Sequence, residues 1–243
     1  MVESVVSFFE SLGFTKVPEQ ISFLLDPVNI PFAIWETLYA PLIATVFAYV
    51  IGLPLGVLLV TGEEGGIRPL PKSFMRILNT VINLLRSIPF LILMVMVFPL
   101  SRLILGTTIG TMATIVPLTV AAAPYVARLV ESSLREMDRG VVEAAQSMGC
   151  STWQIVTKVM LPECLPSLIN GATNATITIL SYGAMAGNIG GGGLGAISLQ
   201  RGYQRNQIIV LYVAVIILVL LVQIIQSVGT ALSVKADKRI THK

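Results

Sequence analysis

The sequence predicts an all-α membrane protein with five transmembrane helices, a helical insert on the cytoplasmic side, the N-terminus outside and the C-terminus inside. Three observations predict it. Of the 243 residues 54% are apolar and only 12% charged, whereas a soluble domain carries about a quarter charged residues. Several stretches reach the roughly 20 residues that cross the hydrocarbon as helix. Lys and Arg are sorted between alternate loops, the sign of a fixed orientation.

Residues 1–34 read as a leader. The first fourteen hold two glutamates and no basic residue, unlike a cleaved signal, which needs a positive start and a small-residue cleavage site. Val5, Val6, Phe8, Phe9 and Leu12 fall roughly on one helical side, as in an interfacial helix; a disordered leader is the alternative. Residues 35–233 form the transmembrane domain, with spans expected over 35–60, 80–105, 109–130, 165–189 and 208–223, the last extended to about 233. Residues 234–243 are a cytoplasmic tail. Pro41 and Pro54 fall in the first span, Pro89 of Ser87-Ile88-Pro89-Phe90 in the second, Pro117 and Pro124 in the third. Each removes a backbone donor and is expected to kink or unwind its helix, either as a packing feature or as part of a moving bundle.

Orientation follows from the basic residues. Arg68, Lys72, Arg76 and Arg86 lie between the first two spans, and Arg128, Arg135, Arg139 and Lys158 between the third and fourth. The tail adds Lys235, Lys238, Arg239 and Lys243, against Lys16, Arg102, Arg201 and Arg205 on the opposite side. The excess on the first side makes it cytoplasmic. The formal charge of +3 is therefore topology, with no nucleic-acid partner implied. Cys150 and Cys164 lie in or beside the insert, where thiols stay reduced, and are expected to be packing residues.

The insert, about residues 135–164, is the most informative segment. Residues 136–148 are rich in helix formers. Gly149 can end that helix in a left-handed conformation, Ser151 or Thr152 can cap a second helix over 153–160, and Pro162 bars further regular helix. Two short helices at an angle, with small Ala144 and Ala145 at the bend, make a knob that can enter a cleft. An ordinary helical hairpin is the bland alternative.

In the fourth span Asn170, Asn174, Thr178, Ser181, Met185 and Asn188 fall within about 80° of one another at 100° per residue. Unpaired amides are costly in hydrocarbon, so the stripe faces other helices or a wet path. Polar glue between helices and a translocation path both fit. Gly183, Gly187 and the glycine-rich 190–195 allow a sharp break, followed by polar Gln200-Arg201-Gly202-Tyr203-Gln204-Arg205. That element is either an outer gate, a dock for an external partner, or a loop.

Other signals are absent. No Gly-Lys dipeptide occurs, so the phosphate-binding P-loop is missing, and the single histidine, His242, sits in the tail. The match of 190–195 to G-x-G-x-x-G ends a transmembrane helix rather than joining a strand to a helix, and Asn174-Ala175-Thr176 lies inside a span, so both are discounted. No metal or cofactor site is expected in this chain.

The insert carries Glu143-Ala144-Ala145, three residues, Gly149, nine residues, then Val159-Met160-Leu161-Pro162. It resembles the EAA loop of bacterial ABC importer permeases, with Val159 where that family usually has Ile. Further blocks resemble the methionine branch: Trp35-Glu36-Thr37-Leu38-Tyr39, Arg86-Ser87-Ile88-Pro89-Phe90, Ile115-Val116-Pro117-Leu118-Thr119, Ala123-Pro124-Tyr125-Val126-Ala127-Arg128, the run 181–187, Gly191-Gly192-Gly193-Leu194-Gly195 and Gly202-Tyr203-Gln204.

The resemblance implies a type I importer in the bacterial inner membrane. Two identical permeases pair with two cytoplasmic ATPases, which hold ATP and Mg, and an external methionine-binding lipoprotein delivers L-methionine, D-methionine or derivatives. Glu143, Ala144, Ala145 and Gly149, with Pro162 closing the pattern, match the docking positions. Met185 matches the narrow point of the path, alongside Asn174, Ser181 and Asn188. The implied mechanism is alternating access driven by the ATPases, with no covalent step in the permease. A secondary transporter or channel acting alone is the alternative. It usually places ionisable residues mid-membrane, whereas Glu36, Arg86, Arg102 and Glu131 lie near span ends. A structural subunit of a respiratory complex would carry cofactor ligands instead.

Overall fold

The computed structural model describes residues 6–7, 11 and 16–237, and every regular element among them is helical. The expected leader positions Val5, Phe8, Phe9 and Leu12, and Lys238, Arg239, His242 and Lys243 of the tail, lie outside the described residues. The elements are α1 (Val17–Leu25), α2 (Asn29–Thr61), α3 (Lys72–Ser87), α4 (Phe90–Leu105), α5 (Thr111–Arg135), α6 (Arg139–Ser147) and α7 (Thr152–Ile155). A π-helical stretch, Val156–Met160, then leads into α8 (Leu161–Glu163) and α9 (Leu165–Ala186). A 3-10 turn (Gly187–Ile189), α10 (Gly193–Ala196), a second π-helical stretch (Ile197–Tyr203) and α11 (Ile208–Ala236) complete the chain.

By length and composition α2, α5 and α11 can each cross a membrane, and α3 with α4 form a bent pair that passes the same test together. Helix α9, the expected fourth span, is not among them, because Asn170, Thr173, Asn174, Thr176, Thr178 and Ser181 dilute its apolar content. The expected span over 80–105 is not one straight helix: the chain turns by 110° between α3 and α4. Ile88, before Pro89, takes φ −79°, ψ 127°, the extended conformation that a following proline ring favours. Helix α3 is therefore amphipathic and separate, with Met75 and Ile82 buried and Phe74, Ile77, Val81 and Leu84 exposed.

The other span prolines do not break their helices. Pro41 and Pro54 stay within uninterrupted α2, and Pro117 and Pro124 within uninterrupted α5. In a long apolar helix, one missing donor is tolerated when neighbouring helices and local adjustments re-satisfy the freed carbonyl.

The described residues group into two compact units: those up to 43 with 94–118 and 179–223 in the first, 44–93, 119–178 and 224–237 in the second. In the first, Ala33, Leu194 and Ala214 form a buried cluster with Ile34, Ile197 and Leu218 packed against it. Gln20 of α1 is fully buried, and its side-chain oxygen accepts from the Ile209 N–H at 2.9 Å, satisfying one of the donors that a helix start leaves open.

In the second unit Leu59, Met75, Ile82 and Ala127 form the core cluster, with Leu55, Leu70 and Leu78 against it. Small residues bring its helices together. Ala44, Ala48, Gly52 and Gly56 recur every fourth residue on α2 and are buried. A Cβ on Gly56 would stand 2.6 Å from the Ala127 carbonyl oxygen, and one on Gly52 2.8 Å from that of Ala123. Such close approach is what drives association where no water is expelled from between helices. Gly229 of α11 meets α9 as closely: a Cβ there would lie 2.0 Å from Thr173 Oγ1.

Candidate functional site

The knob in the second unit is built by capping. Asp138 accepts from the Gly140 N–H at 2.8 Å and starts α6, so the helix expected from residue 136 begins three residues later. Its end is a Schellman turn: Cys150 N–H donates to the Ala145 carbonyl at 3.1 Å, Gly149 N–H donates to that of Gln146 at 2.9 Å, and Gly149 has φ +76°. Ser151 then opens α7 with a reciprocal capping box. Its hydroxyl accepts from Gln154 N–H, and the Gln154 side chain accepts from Ser151 N–H at 2.8 Å. Both turns follow from chemistry within a few residues.

Pro162 does not stop the helix, contrary to expectation. The backbone widens into the π-helical stretch Val156–Met160 and continues through α8, Cys164 N–H donating to the Met160 carbonyl at 3.1 Å. A proline ring clashes with the carbonyl four residues back, and a π-turn directly before it relieves that contact.

Glu143, Ala144, Gly149 and Pro162 are exposed. Ala145 is 2% exposed, so its methyl packs inside the knob rather than on its surface. The tip instead presents Met148 at 76% and Trp153 at 74% exposure. The sequence reading did not single out these two exposed side chains, although both lie within four residues of Gly149.

A polar network lies behind the knob. Arg135, the last residue of α5, makes two hydrogen bonds to Glu63, at 3.0 and 2.7 Å, and also bonds Glu131 at 2.9 Å. Glu131 pairs in turn with Arg128, whose guanidinium reaches Asn79 at 2.8 Å and Asn83 at 2.9 Å on α3. The buried Glu131 is thus compensated on both sides. Sequence reading took these arginines only as topology signals. The i, i+3 and i, i+4 spacings of 128, 131 and 135 were the available clue.

The expected path residues line α9 and the turn after it. Asn170, Asn174, Ser181, Met185 and Asn188 are all exposed in the single chain and Thr178 is half-buried, its hydroxyl donating to the Asn174 carbonyl at 2.9 Å. Asn170, Asn174, Met185 and Asn188 of the stripe are therefore not buried between helices of this chain. An exposed polar face on an apolar helix requires water or another polypeptide beside it.

In the first unit the glycine run closes onto α2. Glu36 accepts from Thr111 Oγ1–H at 2.6 Å and from Gly193 N–H at 2.9 Å, while Thr37 Oγ1 accepts from Leu194 N–H at 2.8 Å. A Cβ on Gly192 would fall 2.2 Å from Thr111 Oγ1 and 2.4 Å from Glu36 Oε2, so only glycine admits this clasp. The stretch expected as a flexible gate is held by side-chain hydrogen bonds.

The family model described as binding-protein-dependent transport system inner membrane component matches residues 52–236. The probable D-methionine transport system permease protein MetI of Vibrio cholerae is 50% identical over 208 residues, 85% of this chain and 92% of that protein. The D-methionine transport system permease protein MetI of Escherichia coli K12 is 49% identical over 154 residues, 63% of this chain and 70% of that one. A solved inward-facing conformation of the MetNI methionine ABC transporter superposes with a TM-score of 0.84 at 44% identity, covering 86% of this chain and 96% of its counterpart. A crystal structure of an amino acid ABC transporter with histidines, at 16% identity and a TM-score of 0.68 over 97% of this chain and 98% of that one, shares the fold.

Proposed function

This chain belongs to the family of binding-protein-dependent transport system inner membrane components, and we propose that within it the chain is the permease subunit of an ATP-driven methionine importer. The observation that carries the reading is the knob: two capped helices joined at Gly149, presenting Glu143, Ala144, Met148 and Trp153 on the surface. ATP and Mg belong to separate cytoplasmic ATPases, two per pair of permeases, and the knob enters a cleft on each. An external methionine-binding lipoprotein delivers the substrate, and the permease performs no covalent step. Relatives named as D-methionine transport system permeases and a solved relative named as a methionine transporter support methionine as the substrate, the D form included.

In this reading the membrane is crossed five times, by α2, α4, α5, α9 and α11, with the N-terminus outside and the C-terminus inside. Helix α3 lies as an amphipathic segment before the 110° turn. The exposed stripe on α9 faces its copy in a second permease, so Asn174, Ser181, Met185 and Asn188 line the path between them and Met185 is the constriction. ATPase closure moves the knobs and opens the path outward; hydrolysis reopens it inward.

Co-purification tests this. The intact chain should retain the ATPase through detergent extraction, and the Gly149→Asp variant should lose it while still inserting in the membrane. Equal retention by both would remove the knob as the coupling element.

A further inference from the structure

A cavity of about 340 Å³ in the first unit lies outside both the knob and the α9 stripe. Two opposite charges line it. The Glu36 carboxylate takes only neutral donors, Thr111 and Gly193. The Arg201 guanidinium sits 3.9 Å from the centre of the Phe23 ring. Glu36 and Arg201 do not pair with each other, and among the described residues neither has an ion-pair partner. Phe23, Phe32 and Ile197 give the lining apolar and aromatic surface, and Asn29 and Gln200 add polar groups.

A half-buried carboxylate and a guanidinium left apart around an aromatic pocket complement a zwitterion with an apolar chain. We propose that this cavity is a loading site for a free apolar α-amino acid, its ammonium at Glu36, its carboxylate at Arg201 and its side chain against Phe23 and Phe32. The site rests on the reading of the chain as a methionine permease, and for methionine it offers sulfur–aromatic contacts. The clasp holds Glu36 in place, and Gly191, Gly192 and Gly193 let the backbone form a wall at close range. Arg201 keeps its full charge over the Phe23 ring, which positions it for a carboxylate without locking it to one of the protein's own. An ethanolamine phospholipid headgroup shares the charge pattern. The cavity's volume suits one molecule of amino-acid size.

The test is equilibrium binding of radiolabelled methionine to the full chain purified with its ATPase, without binding protein. Saturable binding is expected, with Arg201→Gln weakening it at least tenfold and Arg201→Lys less. Methioninol, lacking the carboxylate, and N-acetylmethionine, lacking the ammonium, should fail to compete against the unaltered protein, a result independent of how any variant folds. Absence of saturable binding in a complex that transports methionine would overturn the site but leave the permease reading intact. Failure of methionine uptake with binding protein and ATP would overturn the permease reading itself. Competition by methioninol equal to that by methionine overturns the charge assignment. An ethanolamine lipid retained in native mass spectra, lost in Arg201→Gln and not displaced by methionine, would make the cavity a lipid seat and overturn the proposal.

Discussion

Arg135 at the end of α5 grips Glu63, 72 residues earlier in the chain, through two hydrogen bonds of 3.0 and 2.7 Å. Arg135 directly precedes the segment leading to α6, so the root of the knob is tied to the loop after α2. The tie continues through Glu131 and Arg128 to α3.

The two acidic partners should contribute unequally. Glu131's side chain is 12% exposed and that of Glu63 is 33% exposed. Glu131→Gln leaves Arg128, whose side chain is 20% exposed, without its ion-pair partner and should cost about 2 kcal/mol or more. Glu63→Gln should cost about 1 kcal/mol or less, because water screens an open pair. Thermal unfolding of the purified variants compares them; equal losses would place the network's weight elsewhere.

Gly149→Asp separates strain from docking. No atom lies within 4 Å of a Cβ added there, and the strain is its φ of +76°. Placing a non-glycine residue in that conformation costs roughly 1–2 kcal/mol, and Asp is among the side chains that tolerate it. Membrane levels should therefore stay near normal while methionine uptake is lost. Gly149→Asn, with the same strain and no charge, measures how much of the loss is conformational.

Gly192→Ala should do what Gly149→Asp does not. Its methyl would meet Thr111 Oγ1 at 2.2 Å and the Glu36 carboxylate at 2.4 Å, so the clasp must open. We expect a drop in melting temperature of several degrees together with impaired transport. Gly65→Ala, where no atom lies within 4 Å of the added carbon and the only cost is the strain of its φ of +83°, should leave transport unchanged. Unaltered stability in Gly192→Ala would show the clasp to be loose.

Topology is tested by thiol labelling in whole cells. Tyr203 is 77% exposed and belongs to the proposed outer segment, so Tyr203→Cys should react with a membrane-impermeant maleimide. Cys150, half-buried in the proposed cytoplasmic knob, should react only after permeabilisation. The reverse pattern would invert the orientation.

Met185 is 47% exposed in the single chain. A thioether can plug a narrow passage yet move aside, and on a two-fold axis each change acts twice. Met185→Trp should block uptake with assembly intact, and Met185→Ala should raise leak or basal ATP hydrolysis. A Met185→Trp complex that assembles and transports fully would remove Met185 from the path.

The knob, the α9 stripe and the apolar class were legible from the residues alone because their chemistry is local. A Schellman glycine acts on carbonyls a few residues back, and Ser151 and Gln154 cap one another across a single turn. Helical spacing likewise puts Asn174, Ser181 and Met185 on one face, whatever packs there. Tertiary packing decided the rest. Pro89 broke the chain by 110°, while Pro117 and Pro124 sat within an intact α5 and Pro162 was absorbed by a π-turn; the same residue type has different outcomes because neighbouring elements determine whether a freed carbonyl is re-satisfied. Glu36 found Thr111 75 residues on and Gly193 157 residues on. Such partners share no local pattern, and they meet because the helices that carry them bury their apolar faces together.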